Sequence, residues 1–554
     1  MSGNRPELQR DLPLATTRNG TYSGVYDSSH DQFQFLGIPY ATPPVGDLRF
    51  RPPQYIDESW DGIRSADSYG PMCPGYYRGP AIHYAMSEDC LTVNVVVPSA
   101  PEMKTLLPVA VWYYGGGPKG GASRDGRYNM SFLVSHATQH DMPFISVSFN
   151  FRSSIWGFIR GAEVLGTGNT NLGLRDQRLA LHWLQENIAG FGGDPRKVTI
   201  MGGSSGAENI GFQLTAYGGR DDGLFRAAIL QSGTAISLLG DTSISGQDSY
   251  DQLLAATSCN DTENSLDCLR HVPFEQLNGA FDNWDSAPAA SRLDKVTTNM
   301  ASQSVAQIDG DFIRSFGSVA MRQGNFVKVP IINGVTSNEG FAFIPEGLDS
   351  ANATLDYLYN FAKGFRPSVV DKLLSFYPEL PDEAKPLDPP IKGIRNASGY
   401  DRLEHVLGDF QHNAAKRLQC GEYARHTACY SYRFDAVESL ESGNPREGVR
   451  HGAEIPTVFQ NYNGEGFWPD PNPFEGRTSG YFDMAKAIGL MWAGFITQLD
   501  PNHAFEGEPW PKYNPDAPRQ MVFNETGPFW VEDDLLRKDA TDYIYNIMQS
   551  VLTR

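Results

Sequence analysis

The chain has 554 residues, of which 40% are hydrophobic, 12% aromatic and only 20% charged, so it can build a large core and is neither a disordered chain nor a disulfide-held miniprotein. Its 45 basic and 65 acidic residues leave a net charge of −20, which repels a phosphate backbone and excludes nucleic acid as an expected partner. No run approaches the roughly eighteen consecutive apolar residues that span a bilayer, so no membrane-spanning segment is expected.

At the amino terminus, Met1–Gly24 lacks the apolar stretch of a signal peptide, so either the protein stays inside the cell or a leader has been removed. Six cysteines fall into three sequence-local pairs, Cys73/Cys90, Cys259/Cys268 and Cys420/Cys429, none with Cys-x-x-Cys metal spacing. Six Asn-x-Ser/Thr sites occur, at Asn19, Asn129, Asn260, Asn352, Asn396 and Asn524. Local cysteine pairs and sequons together favour a secreted, extracellular protein. Gly 56 and Pro 37, about a sixth of the chain and without period, predict many irregular loops. With no internal repeat, charge block or low-complexity linker, residues 1–554 read as one domain with insertions.

Short β-rich apolar runs predict strands at Leu91–Pro98, Leu107–Tyr114 and Pro143–Phe151, then at Val198–Met201, Ala227–Gln231, Val329–Val335 and Cys429–Phe434. So little polar alternation fits strands buried on both faces of a sheet. Between them, Leu172, Leu179, Ala180, Trp183, Leu184 and Ile188 share a stripe at helical spacing and predict a helix over Asn171–Ile188. A loop at Phe191–Pro195 follows, then the strand VTIM, then Gly202–Gly206, then a helix of about a dozen residues from Ala207. Strand alternating with helix predicts a mostly parallel α/β sheet.

Gly202-Gly203-Ser204-Ser205-Gly206 fits Gly-x-Ser-x-Gly, and a strand before it with a helix after it is the context in which such a serine is exposed on a strained turn. Ser204 is the candidate nucleophile; Ser205 in that role would misplace the glycines. A serine hydroxyl needs a base, and the base needs an acid to orient it. Five histidines lie late enough in the chain, His405, His412, His426, His451 and His503; His451 stands out in the turn-rich segment Arg450–Pro456. Glu339 follows the predicted strand Val329–Val335, at the carboxyl end where α/β sheets place ligands, with Asp309 and Asp311 as competitors. The triglycine Gly115–Gly117 after LPVAVWYY offers backbone amides, so Gly116, Gly117 and Ser205 are the candidate oxyanion donors.

These residues, in this order, resemble the type-B carboxylesterase/lipase family, which includes cholinesterases and fungal lipases. The likeness runs through Phe35–Pro53, Ser87–Val95, Asn150–Phe158, Gly168–Pro195, Ala228–Gly233 and His451–Phe459. It implies the α/β-hydrolase fold: a large mostly parallel central sheet flanked by helices, a small N-terminal β-sheet, and loop and helix insertions forming a gorge. It implies a Ser204–Glu339–His451 triad acting without metal or organic cofactor. It also implies disulfides Cys73–Cys90 and Cys259–Cys268, whereas Cys420–Cys429 has no firm family counterpart.

The departures bear on substrate. Gly203 stands where the family usually has glutamate and Ser205 where it has alanine; Glu208 is a neighbouring charge that partly substitutes for the lost carboxylate. Tyr114 replaces a histidine common before the glycines, and Pro118 replaces an aromatic residue after them. Only sixteen residues separate Cys73 from Cys90, fewer than in the lids of similar lipases, so this lid-like loop favours an esterase on dispersed small or medium esters over a true lipase. Pro80 occupies the position of the choline-stacking tryptophan of cholinesterases, although Tyr76, Tyr77 and Tyr84 offer rings nearby. The reading is a serine carboxylic-ester hydrolase with a small-molecule ester substrate. The alternatives are an acyltransferase, transesterase or lactone-forming enzyme with the same triad, and a silent neuroligin-like binding module. Sequence does not fix the oligomeric state.

Overall fold

A computed structural model describes residues 12–76, 84–99, 105–117, 120–237, 246–285, 306–344, 356–357, 367–378, 397–437, 448–526 and 529–548. Two sheets organise them. The small one joins β1 (Leu14–Thr16), β2 (Thr21–Ser23) and β5 (Ile63–Ser65) in the order β1-β2-β5. The large one has eleven strands. In chain order they are β3 (Val25–Asp27), β4 (Gln32–Pro39), β6 (Thr92–Pro98), β7 (Leu107–Tyr113), β8 (Ile145–Phe149), β9 (Gly193–Gly203), β10 (Ala227–Gln231), β11 (Ile331–Thr336), β12 (Cys429–Phe434), β13 (Arg519–Phe523) and β14 (Trp530–Asp533).

Their spatial order is β14-β13-β12-β11-β10-β9-β7-β8-β6-β4-β3. From β13 to β8 every neighbour is parallel, while β14, β6, β4 and β3 are antiparallel additions at the two sides. The predicted mostly parallel sheet is therefore present, together with the small N-terminal sheet. Interior strands of the large sheet such as β6 (TVNVVVP) and β10 (AAILQ) are buried along their length, as such apolar runs require.

The helix Leu172–Asn187 buries Leu172, Leu174, Leu179, Leu181, Trp183 and Leu184, close to the predicted stripe. The predicted loop Phe191–Pro195 is corrected in part: β9 begins at Gly193, because Leu107 N–H bonds to Gly192 O (2.8 Å) and Leu107 pairs with Gly193, zipping Gly, Asp and Pro residues into the ladder. The following helix starts at Ser205, not Ala207, and its dihedrals stay helical as far as Thr215.

Three disulfides close Cys73–Cys90, Cys259–Cys268 and Cys420–Cys429. The last ties the helix Ala414–Ala424 to the first residue of β12.

Candidate active site

Parallel register sets the carboxyl ends of the central strands side by side. Tyr113 of β7 pairs with Gly202 of β9, Gly203 with Gln231 of β10, and Gln231 with Gly334 of β11. Just beyond, Ser204 N–H bonds to Gln231 O and Ser232 N–H to Gly334 O, both at 2.8 Å. Residues that leave these ends are gathered on one edge of the sheet.

Ser204 has φ 55° and ψ −130°, a sparsely populated conformation for a residue with a side chain. Packing enforces it. A Cβ on Gly206 would lie 2.1 Å from Tyr113 O, one on Gly202 2.8 Å from the same oxygen, and one on Gly115 2.6 Å from Gly203 O. The glycines thus let the turn lie directly on the end of β7, with Gly115 against the Ser204 Cβ.

Ser204 Oγ is 2.8 Å from His451 Nε2, and His451 Nδ1 is 2.5 Å from Glu339 Oε2. The other oxygen of Glu339 accepts from Ser232 Oγ (2.6 Å) and Thr336 N–H (2.7 Å). Two loops carry Glu339 and His451, and a parallel bridge between Asn338 and Arg450 joins them. In it Asn338 N–H bonds to Val449 O and Val449 N–H to Asn338 Oδ1, each at 3.0 Å. Gly340 lets this loop seat on the helix Ala397–Gly408, since a Cβ there would fall 1.9 Å from Glu404 O.

Burial would raise the Glu339 carboxyl, but the facing imidazoles of His412 and His451 and the Ser232 hydroxyl outweigh it and hold it at about 2. Burial lowers the His451 imidazole, and the adjacent Glu339 anion, helped by Glu454 and Glu208, reverses this and leaves it raised. An ionised acceptor, an imidazole of increased basicity and a serine hydroxyl in hydrogen-bond contact form one chain for moving a proton.

The other candidates lie elsewhere. Asp309 accepts from Thr170 Oγ1 and Asn171 Nδ2 and pairs with Arg175, which also pairs with Asp311. His405 sits beside Glu404 (3.3 Å), pushed down to about 4 chiefly by burial. His426 packs on Phe326, and His503 N–H bonds to Asp500 O. His412 does belong to the site: on a π-helical turn, its ring centroid is 5.1 Å from that of His451 and 5.3 Å from that of Phe343. Ser232, Asn338 and Glu454 are site residues that the sequence did not single out, and His412 was only one of five candidate bases; of the first three, Ser232 and Glu454 lay within recognisable family blocks.

Glu339, His412 and His451 are the donor set among the described residues that would fit a divalent cation, with one ligand atom each within 4.8 Å of the others. In this structure the Glu339–His451 pair of that set is closed by the shared hydrogen bond.

The candidate oxyanion donors Gly116 and Gly117 follow β7 with φ of 127° and 66°, conformations glycine tolerates, and Ser205 opens the helix after Ser204. A narrow cleft beside Ser205 and Gly117 is walled by Tyr114, Phe151, Phe158 and Phe212. Tyr114 stacks on Phe151 and its hydroxyl donates to Phe151 O (3.0 Å). Tyr76 and Tyr84 are otherwise engaged: Tyr76 donates to Asn278 and accepts from Trp156 Nε1, and Tyr84 lies under the Arg124 guanidinium. Tyr77, Pro80 and Pro118, and the sequons Asn352 and Asn396, lie outside the described residues.

Known proteins resemble the chain along nearly its whole length. The carboxylesterase family pattern matches residues 11–538. Lipase 4 of Diutina rugosa is 32% identical over 90% of this chain and 89% of its own. Secreted lipase 1 of Botryotinia fuckeliana is 30% identical over 92% and 88%. The crystal structure of Aspergillus niger EstA superposes with a TM-score of 0.82 at 24% identity, covering 98% of this chain and 99% of that one. Central parallel sheet, strand-end site and whole-chain similarity together lead to one conclusion: the chain belongs to the carboxylesterase family and is a carboxylic-ester hydrolase of the α/β-hydrolase fold.

Proposed function

We propose that the protein hydrolyses dispersed small or medium esters through a Ser204–His451–Glu339 triad. The observation that carries this is the unbroken hydrogen-bonded chain from Ser204 Oγ through both His451 nitrogens to Glu339. His451 Nε2 accepts the Ser204 proton as Oγ attacks the ester carbonyl, and Glu339 stabilises the imidazolium that forms. The amides of Gly116, Gly117 and Ser205 receive the developing oxyanion. His451 then returns the proton to the departing alkoxide, leaving an acyl-enzyme. Water, deprotonated by the same imidazole, releases the acid and restores Ser204.

Two features support the smaller substrate class. The disulfide-closed loop between Cys73 and Cys90 spans a sequence separation of 17, too short to cover and uncover a broad apolar surface at an oil–water boundary. The cleft beside Ser205 is walled by Tyr114, Phe151, Phe158 and Phe212, an aromatic surface suited to a small apolar acyl group. The three disulfides, with a relative named as a secreted lipase, support an extracellular location.

Hydrolysis of p-nitrophenyl esters from acetate to palmitate, by the native chain and Ser204→Ala, tests the reading. Turnover is expected to peak at short or medium chains and to fall by about 10³-fold or more in the variant. A maximum at palmitate would discard the substrate class and keep the triad, and an active Ser204→Ala would discard the triad.

A further inference from the structure

Ser205 departs from the alanine usual in the family, and its side chain makes a contact that alanine lacks. Its Oγ donates to Gly117 O at 3.1 Å, across 88 residues of sequence. One residue therefore touches the oxyanion site twice, placing its amide on the helix side and tying the glycine loop with its hydroxyl. The tie adds to the close packing of Gly120 on Gly75 and of Gly121 on Tyr114. Gly116, Gly117 and Gly120 have φ of 127°, 66° and 149°, conformations that glycine adopts without the penalty of a Cβ. A Cβ on Gly117 would meet nothing within 4 Å, so that side of the residue faces open space. Ser205 is itself fixed, buried at 8% exposure at the start of a helix whose next residue, Gly206, packs onto Tyr113 O.

We propose that the Ser205 hydroxyl is a positioning group for the oxyanion hole, holding the carbonyl of Gly117 so that the Gly116 and Gly117 amides stay aimed at the carbonyl oxygen once it becomes tetrahedral. The proposal rests on the triad and donor assignments above. Donors fixed before reaction act without reorganisation as charge develops, so loss of the tie weakens transition-state binding and spares the ground state.

The test compares native protein, Ser205→Ala and Ser205→Thr on p-nitrophenyl butyrate, with butylboronic acid as a tetrahedral-adduct probe and thermal unfolding as a control. In Ser205→Ala, kcat is expected to fall about 10- to 50-fold with KM within about twofold. The boronate inhibition constant should rise by a similar factor while the unfolding midpoint stays near native, and Ser205→Thr, which keeps the hydroxyl, should recover most of kcat. Native kcat in Ser205→Ala overturns the proposal. So does a loss of kcat that comes with lowered stability and unchanged boronate affinity, because that pattern belongs to a packing role. Full activity in Ser204→Ala would instead remove the triad beneath the proposal, a failure distinct from either.

Discussion

Three residues beyond His451, the carboxyl of Glu454 is buried at 2% exposure. Its Oε1 accepts from Gln231 Nε2 (3.2 Å), while Oε2 has no hydrogen-bond partner among the described residues. Burial, then the nearby Glu339 charge, pushes it up to about 7. The folded state therefore holds a proton that the unfolded chain releases near the ordinary value of 4.5. This group's contribution is complete below about 4.5 and is lost as pH rises through about 7. Glu454→Gln removes that loss, so it should be more stable than the native chain at pH 8, by up to ~3 kcal/mol, and no more stable at pH 4.5. Denaturant midpoints at the two pH values check this; an equal shift at both would mean the gain has nothing to do with ionisation. Glu339 has the opposite sign. Held at about 2, it contributes stability above about 4.5 that is lost as pH falls toward 2. In the proposed triad the deciding group for activity is His451, which would have to be neutral to accept the serine proton and whose imidazole is raised. The acid limb of kcat/KM is expected above the ordinary imidazole value of 6.5. Glu339→Gln should move that limb down and lower kcat by about 10³-fold or more. A limb left in place would separate the two residues.

At the scale of elements, the site depends on the two segments that carry Glu339 and His451. The bridge between Asn338 and Arg450 holds them, and it needs the Asn338 side chain as acceptor for Val449 N–H. Asn338→Ala leaves that amide unpaired and the His451 loop looser, so kcat should fall about tenfold with stability reduced by ~1–2 kcal/mol. Steady-state kinetics beside a denaturation curve would show it, and unchanged kcat would mean the loops are held by packing alone. The same contacts explain what was legible in the sequence. Ala227–Gln231 was readable because burial on both faces demands a nearly unbroken apolar run, and Cys429–Phe434 because Tyr430, Tyr432 and Phe434 alternate with Ser431 and Arg433. Gly193–Lys197 was not, since GDPRK carries turn chemistry and becomes strand only by pairing at the edge of β7. Glu339 was a candidate from its place after a strand. Asp309 and Asp311 remained rivals until tertiary partners such as Arg175 separated them. Ser232 and His412 meet Glu339 and His451 only through the fold, and no local pattern announces a contact such as that between Ser232 and Glu339 across 107 residues.

For the whole molecule, the three disulfides close short loops with separations of 17, 9 and 9, but they tie different parts of the fold together. Cys259–Cys268 links the helices Gln247–Thr257 and Ser265–His271, whose apolar residues form a separate packed cluster with Trp156 and Phe50. Cys420–Cys429 instead fastens a helix to the central sheet, next to the π-helical turn that carries His412. Loop closure of this size restricts the unfolded chain by about 2–3 kcal/mol per crosslink. Replacing Cys259 and Cys268 together by alanine should therefore lower unfolding free energy by about that amount and leave kcat/KM within twofold. Replacing Cys420 and Cys429 should cost similar stability and also lower kcat, because the helix and turn beside Glu339 lose their anchor to β12. Denaturant unfolding and ester kinetics on the two double variants separate the cases. Equal kinetics in both would show that the turn is held by its ion pairs, Arg537 with Asp409 above all, and not by the crosslink.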